Sequence, residues 1–163
     1  MNQYFRFSLF VALYFLISVS ISFAEKGYPE QVQPVEIKSS ADGVLQNALY
    51  FSPKVDHEVP LLVALHTGSS DWKNTHNVPL AEGSIERGWA FIHPDFRGPN
   101  RRSEACGSDL AVSDIIDAVN WVQKKTKIDK SRIYLAGVSG GGHMALQMAG
   151  RAPQLWAGVS SWV

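Results

Sequence analysis

A single cysteine, Cys106, stands among the 163 residues, so no intrachain disulfide can form and metal sites built from cysteine clusters are excluded. Its flank, Glu104-Ala105-Cys106-Gly107, is no redox motif, and a plain buried thiol is the expectation. An excess of either charge is lacking as well. Fifteen Lys and Arg balance fifteen Asp and Glu, without a block of like sign, which removes the usual footprint of a nucleic-acid or anionic-membrane surface. Arg101-Arg102, the one local cluster, reads as a solvated loop tip. Repeats and low-complexity segments are absent. The most consequential shortage is local: beyond Ser139 the chain has no Asp or Glu, and its only histidine there is His143.

What is present is ordinary globular material, 45% hydrophobic and 18% charged, enough for one domain with a core. Residues 1–24 read as a secretory signal peptide. Arg6 precedes the apolar run Phe7 to Ile17, serines interrupt the apolar tail after it, and Ser22 and Ala24 offer small side chains for cleavage before Glu25. The stretch is short for a span of ~20 apolar residues. A secreted or periplasmic protein without a stable membrane anchor after cleavage is expected. Residues 25–34, polar and carrying two prolines, read as a linker, and 35–163 as the domain.

In that domain Val35-Glu36-Ile37-Lys38 alternates, Asp42-Gly43 signals a turn, and Val44 to Phe51 completes a β-hairpin. Pro60 to His66 is a continuous apolar run, as in a strand covered on both faces. A small-residue loop comes next, His66-Thr67-Gly68-Ser69-Ser70, and then a weak helical pattern from Val78 to Arg87 that Gly88 ends. Trp89 to His93 predicts a second buried strand stopped by Pro94, with Asp95 to Asn100 as a loop. Val112, Ile115, Ile116, Val119 and Val122 recur at helical spacing behind Asp109, and Lys124, Lys125 and Lys127 close the helix in keeping with its dipole. Asp129 to Arg132 reads as a turn into the strand Ile133 to Val138. A helix to about Gly150 succeeds it, with Met144, Ala145 and Met148 inward, then a strand from Trp156 to Val163. Strands alternating with helices after a hairpin predict an α/β fold with a mostly parallel sheet and helices on both faces. Ligands then bind beyond the C-terminal strand ends, where His66, His93 and Ser139 lie.

The junction at Ser139 carries the chemistry. Gly137-Val138-Ser139-Gly140-Gly141 has the spacing of a nucleophile elbow, in which a strained serine on a strand-to-helix turn lifts its Oγ above the sheet. Gly137 and Gly141 are expected to be there for lack of a Cβ. The helix beyond the turn points free N–H groups at it. A Walker loop would need Lys at His143 and Ser or Thr at Met144, and a dinucleotide fingerprint would need Gly at Ser139. A plain structural turn is the alternative, and the flanking strand and helix favour the elbow.

From about Pro60 onward the chain resembles the α/β-hydrolases, and within them the catalytic domain of the prolyl oligopeptidase (peptidase S9) family. The carriers are Leu65-His66-Thr67-Gly68, Asp95-Phe96-Arg97-Gly98, Ser113 to Val122, Ile128 to Ile133, and Gly137 to Met144. Dienelactone-hydrolase-like proteins and secreted carbohydrate esterases share much of this pattern. The resemblance implies Ser139 as nucleophile, the Gly140 N–H as one oxyanion donor, and Gly68 or Thr67 as the source of the second. It makes His66 a loop-shaping residue and His143 a packing or hydrogen-bonding residue. No cofactor and no metal are implied. The family has Gly where Thr67 stands, and the β-propeller of its full-length members has no counterpart before the domain.

In this fold the triad has the order Ser, acid, His, and after Ser139 neither partner is available. The expectation is therefore the N-terminal portion of a hydrolase, truncated after the strand that succeeds the nucleophile helix. Its function is read as a secreted serine-type peptidase working through an acyl-enzyme, inactive in this form. A carbohydrate or carboxylic ester hydrolase is the first alternative, so the expected substrate is a peptide or an ester. A non-catalytic binding protein on a hydrolase scaffold is the second.

Overall fold

Asp42 and Gly43 close the first hairpin because Gly43 sits at φ 79°, a conformation that costs a glycine nothing, while the Asp42 carboxylate accepts the Val44 N–H. Strands β1 (Gln33–Lys38) and β2 (Leu45–Phe51) pair antiparallel, with Val35 opposite Ala48. The computed structural model describes residues 27–162, so the expected signal peptide and Val163 lie outside the described residues.

The apolar runs then build the centre. β3 (Val59–Leu65), β4 (Ala90–Pro94), β5 (Ile128–Val138) and β6 (Gly158–Trp162) complete a six-stranded sheet of order β1-β2-β4-β3-β5-β6. β2 meets β4 antiparallel, and β4, β3, β5 and β6 are mutually parallel. Helices α1 (Val78–Glu86), α2 (Asp109–Lys125) and α3 (Gly140–Arg151) cover it. Alternation along β3 sorts the core into two halves. Leu61, Val63 and Leu65 pack with Val112, Ile115 and Val119 of α2 and with Met144 and Met148 of α3. Ala64 turns to the other face and packs with Phe91, Leu49, Val32 and Ala81 of α1. Helices therefore lie on both faces of a mostly parallel sheet, as expected.

Topology fixes where a site can form. From β3 the chain crosses to β4 on one side, and it returns to place β5 on the other. A crevice opens at such a switch point, beyond the C-terminal strand ends. The loop after β3 and the turn after β5 face each other there.

Four local expectations change. The segment read as a linker packs on the domain from Tyr28, whose hydroxyl donates to Asn74 O at 2.7 Å, and Val32 is buried. Pro94 ends β4 as its last residue rather than lying outside it; it pairs opposite Ala48. Asp129 to Arg132 belongs to β5, as a protrusion: Val59 pairs with Ile128 but Leu61 already pairs with Ile133. The Asp129 carboxylate accepts from the Ser131 N–H and the Arg132 guanidinium, so it fastens the bulge locally. The last strand begins at Gly158, because a 3₁₀ turn over Pro153–Leu155 and the Trp156 indole N–H bonded to Met148 O hold the preceding residues against α3.

One ionic cluster, buried at Asp114 and open to solvent at Asp42, joins the hairpin to α2. Arg97 donates through Nε and Nη2 to Asp114, through Nη1 and Nη2 to Asp42, and through Nη2 to Ser39 Oγ. The guanidinium holds the Asp42 carboxyl down to about 2, and the two carboxylates raise the arginine. The Asp114 side chain is 1% exposed, so removing its cation leaves a buried charge without compensation. Arg97→Ala is expected to cost about 3–5 kcal/mol, measured as a lower midpoint in urea unfolding at pH 7.

Candidate active site

The β5-to-α3 turn is built by the absence of side chains. Ser139 lies at φ 55°, ψ −120°, a conformation that the surrounding structure must impose on a non-glycine residue. A Cβ on Gly137 would lie 2.2 Å from Gly141 O, and one on Gly141 would lie 2.5 Å from Leu65 O. Both distances are impossible, so glycine at these two positions lets α3 start directly above β3. The Ser139 N–H donates to Trp162 O at 2.6 Å and ties the turn to β6. Ser139 is exposed, and its Oγ makes no hydrogen bond among the described residues.

Across the crevice stands the loop after β3. A Cβ on Gly140 would lie 2.3 Å from both the N and the Cα of Gly68: the two backbones touch. Neither the Gly68 nor the Gly140 N–H donates to an acceptor among the described residues. Two free donors beside a serine hydroxyl are the parts of an oxyanion hole. Of the two residues expected from this loop, Gly68 is the one against Gly140. Thr67 instead contributes its carbonyl, which accepts from the Ser70 N–H and lies 2.9 Å from His66 Nδ1.

These residues line a cleft of about 610 Å³ together with Ser69, Asn100, Cys106 and His143. Two expectations are corrected here. Cys106 is exposed, not buried: Ala105 takes the interior position and the chain reverses at Gly107, φ 69°, leaving the thiol on the cleft side. His143 is exposed at the cleft rather than packed, and its ring makes no hydrogen bond among the described residues.

The two strand-end histidines face inward. His66 is fully buried, stacked on Phe96 with ring centroids 3.9 Å apart, with Nδ1 at 2.9 Å from Thr67 O and Nε2 at 2.6 Å from Asp95 O. It fastens the loop after β3 to the loop after β4, and neither nitrogen is aimed at Ser139. His93 is also fully buried. Tyr28 gives its hydroxyl proton to Asn74 O, so His93 Nδ1 donates to the Tyr28 oxygen, and Nε2 accepts from the Asn77 amide. Burial, with His66 nearby as a smaller cause, pushes the His93 imidazole down to about 3. Placed by their strands at the right end of the sheet, both rings are spent on structure. No cluster of metal-binding side chains occurs among the described residues.

A family model described as BD-FAE matches residues 48–154, from the middle of β2 to beyond α3, including both loops of the crevice and the serine turn. The chain belongs to the BD-FAE family. Feruloyl esterase B from Thermothelomyces thermophilus is 29% identical over 122 residues, covering 69% of this chain and 41% of that protein. Among solved structures, a thermostable esterase superposes with a TM-score of 0.65 at 21% identity, covering 79% of this chain and 40% of its own. The acylaminoacyl peptidase of Pyrococcus horikoshii superposes at 0.62 and 20% identity, over 83% of this chain and 23% of its own. The fold is thus that of the α/β-hydrolases. The chain spans less than half the length of the curated relatives it matches. This BD-FAE chain carries an esterase-like hydrolase fold, and the matching family model is BD-FAE rather than peptidase family S9.

Sequence inspection overlooks Asn100 and misjudges Cys106. Neither has a local signature, because both reach the cleft only through the fold of the long β4–α2 connection. This geometry makes two measurements decisive. Iodoacetamide is expected to alkylate Cys106 in the folded protein without denaturant, read by intact mass. The second concerns acid. Unfolded, His93 takes its proton near pH 6.5, and folded only near pH 3; between these values the unfolded chain binds more protons, so stability falls as the pH drops. Urea unfolding of His93→Gln is expected to show a flatter loss of stability from pH 6.5 to pH 4 than the unsubstituted protein.

Proposed function

We propose that this chain carries the nucleophile and oxyanion parts of a serine esterase acting on esters of aromatic or carbohydrate-linked acids. The observation that carries this is the contact of Gly68 with Gly140 beside Ser139, which sets two unpaired N–H groups next to an exposed hydroxyl on a strained turn. The likeness to feruloyl esterase B supports the substrate class.

In the proposed reaction Ser139 Oγ bonds to the ester carbonyl carbon as its proton passes to an imidazole. The carbonyl electron pair moves onto oxygen, where the Gly68 and Gly140 N–H groups stabilise it without reorganising. Collapse breaks the bond to the alcohol, which takes the proton and leaves an acyl-Ser139 ester. Water then cleaves that ester by the reverse sequence. No metal or cofactor enters these steps. His66 and His93 are buried and occupied, His57 and His76 do not line the cleft, and His143 lacks a carboxylate to orient it among the described residues. The imidazole and its acid are accordingly proposed to come from outside the described residues, since the chain covers 41% of its feruloyl esterase relative.

Export through the 1–24 signal peptide is part of the proposal and suits an enzyme acting on extracellular polymers. A serine peptidase is the second reading. It rests on the sequence resemblance and shares every step above with an amine as leaving group.

The test uses the full-length protein, with methyl ferulate, p-nitrophenyl acetate and peptide p-nitroanilides side by side and fluorophosphonate labelling of the serine. Ester turnover above anilide turnover is expected, and Ser139→Ala is expected to abolish labelling and lower kcat by ~10³-fold or more. Faster anilide cleavage would install the peptidase reading. Unchanged ester turnover in Ser139→Ala would remove both.

A further inference from the structure

Asn100 lies 40 residues from Gly140 in sequence and yet touches both halves of the proposed oxyanion hole. Its backbone N–H donates to Gly68 O at 2.8 Å. Its side-chain Nδ2 donates to Gly140 O at 3.4 Å. A Cβ on Gly68 would lie 3.6 Å from Asn100 Cβ, and a Cβ on Gly140 would lie 3.0 Å from Nδ2, so the side chain is packed over the seam where the two glycines meet. Gly140 O can only accept, which fixes the amide with its NH₂ toward α3.

That orientation has a cost. Asn100 Oδ1 is buried without a hydrogen-bond partner, the only such side-chain atom among the described residues. A buried acceptor left unpaired is disfavoured by an amount comparable to a lost hydrogen bond, and its retention asks for a reason. Folding alone does not supply one, because an apolar side chain of the same shape would cover the seam without the penalty. The loop that bears Asn100 is itself anchored: Phe96, Arg97 and Gly98 all have positive φ, and the Arg97 side chain is clamped by Asp42, Asp114 and Ser39. A fixed third element thus reaches into the cleft.

We infer that Asn100 is a positioning residue of the oxyanion hole, bridging the β3 loop to the start of α3 and thereby setting the separation of the Gly68 and Gly140 N–H groups. Its importance for reactivity rests on the esterase reading; its control of the two amides does not. The sensitivity comes from the donors' task. They act only when they point at one oxygen, and displacement of about 1 Å costs ~100-fold in such arrangements.

The experiment has two arms on the full-length protein, with Asn100→Ala and the similarly shaped, uncharged Asn100→Leu, both of which keep the backbone bond to Gly68 O and lose the bond to Gly140 O. In the first arm kcat for p-nitrophenyl acetate and the rate of fluorophosphonate labelling are expected to fall ~10–100-fold, with KM within about twofold and the Tm nearly unchanged. In the second arm ¹⁵N-glycine is combined with carbonyl-¹³C threonine or serine. Thr67-Gly68 is the only Thr-Gly pair and Ser139-Gly140 the only Ser-Gly pair among residues 1–163, and loss of the signal in Thr67→Val and Ser139→Ala confirms each amide without full assignment. Both resonances are expected to shift or broaden in the variants while most of the remaining glycine amides stay in place. Unmoved Gly68 and Gly140 amides would overturn the inference whatever the activity. So would moved amides with kcat retained, or a loss of kcat that merely tracks a collapse in Tm. A wild-type protein that fails to label at Ser139 would sink the esterase reading alone, leaving the amide arm to decide this one.

Discussion

The structure depends on a contact between two stretches of bare backbone. Gly137 against Gly141, Gly141 against the carbonyls of Leu65 and His66, and Gly140 against Gly68 are approaches that no side chain would survive. They allow α3 to begin one residue after Ser139 and to lie on the end of β3, so the serine is carried at the crevice in a conformation its own backbone would not choose. The strain is sustained by packing. Met144, Ala145 and Met148 are buried against β3 and β5, and each large buried side chain contributes about 1.5–3 kcal/mol, enough to offset a strain of order 1–3 kcal/mol at the turn.

The partner loop is held by different means. His66 holds it, its two ring nitrogens facing Thr67 O and Asp95 O and the flat face of Phe96 stacked against it. Asp95, in turn, receives the Trp72 N–H, and burial raises its carboxyl above the ordinary carboxylate range. Beyond it, Arg97 joins the same connection to the hairpin and to α2. The crevice is therefore framed by one wall of glycine contacts and one wall of polar ties, and the second wall is the sort that fails as a unit when one member is removed.

Much of this is legible in the sequence, for identifiable reasons. The parallel strands show themselves as continuous apolar runs because both faces are covered, and α2 shows itself because its buried residues recur at three and four. Gly137 and Gly141 can be read as steric necessities because the elbow is local, five residues long. The rest is non-local. Asp129 to Arg132 looks like a turn by composition, and only pairing with β3 turns it into a bulge within β5. Cys106 carries a residue type that is usually interior, but Ala105 beside it fills the space. The histidines at 66 and 93 sit at the right strand ends for catalysis, and their burial depends on Phe96, Tyr28 and Asn77, which no spacing rule connects to them.

Those two histidines also explain how the work of the site is divided. A general base must change its protonation state in each turnover, so it needs a ring whose second nitrogen is exposed to the reacting hydroxyl and whose charge the surroundings can tolerate. His93 fails on the second count, since burial holds it neutral down to about pH 3, and His66 fails on the first, since the ring is fully buried with each nitrogen facing a carbonyl oxygen. The oxyanion donors have the opposite requirement: they keep their protons throughout and gain by being immobile. The sheet is well suited to that second task. It fixes backbone N–H groups at the ends of β3 and β5 through glycine contacts that cannot relax, and it consumes the nearby imidazoles in securing them. In the proposed reaction, the rigidity that would serve the developing negative charge is the same rigidity that disqualifies the core histidines as bases, and the proton of Ser139 would have to be taken from the open side of the cleft.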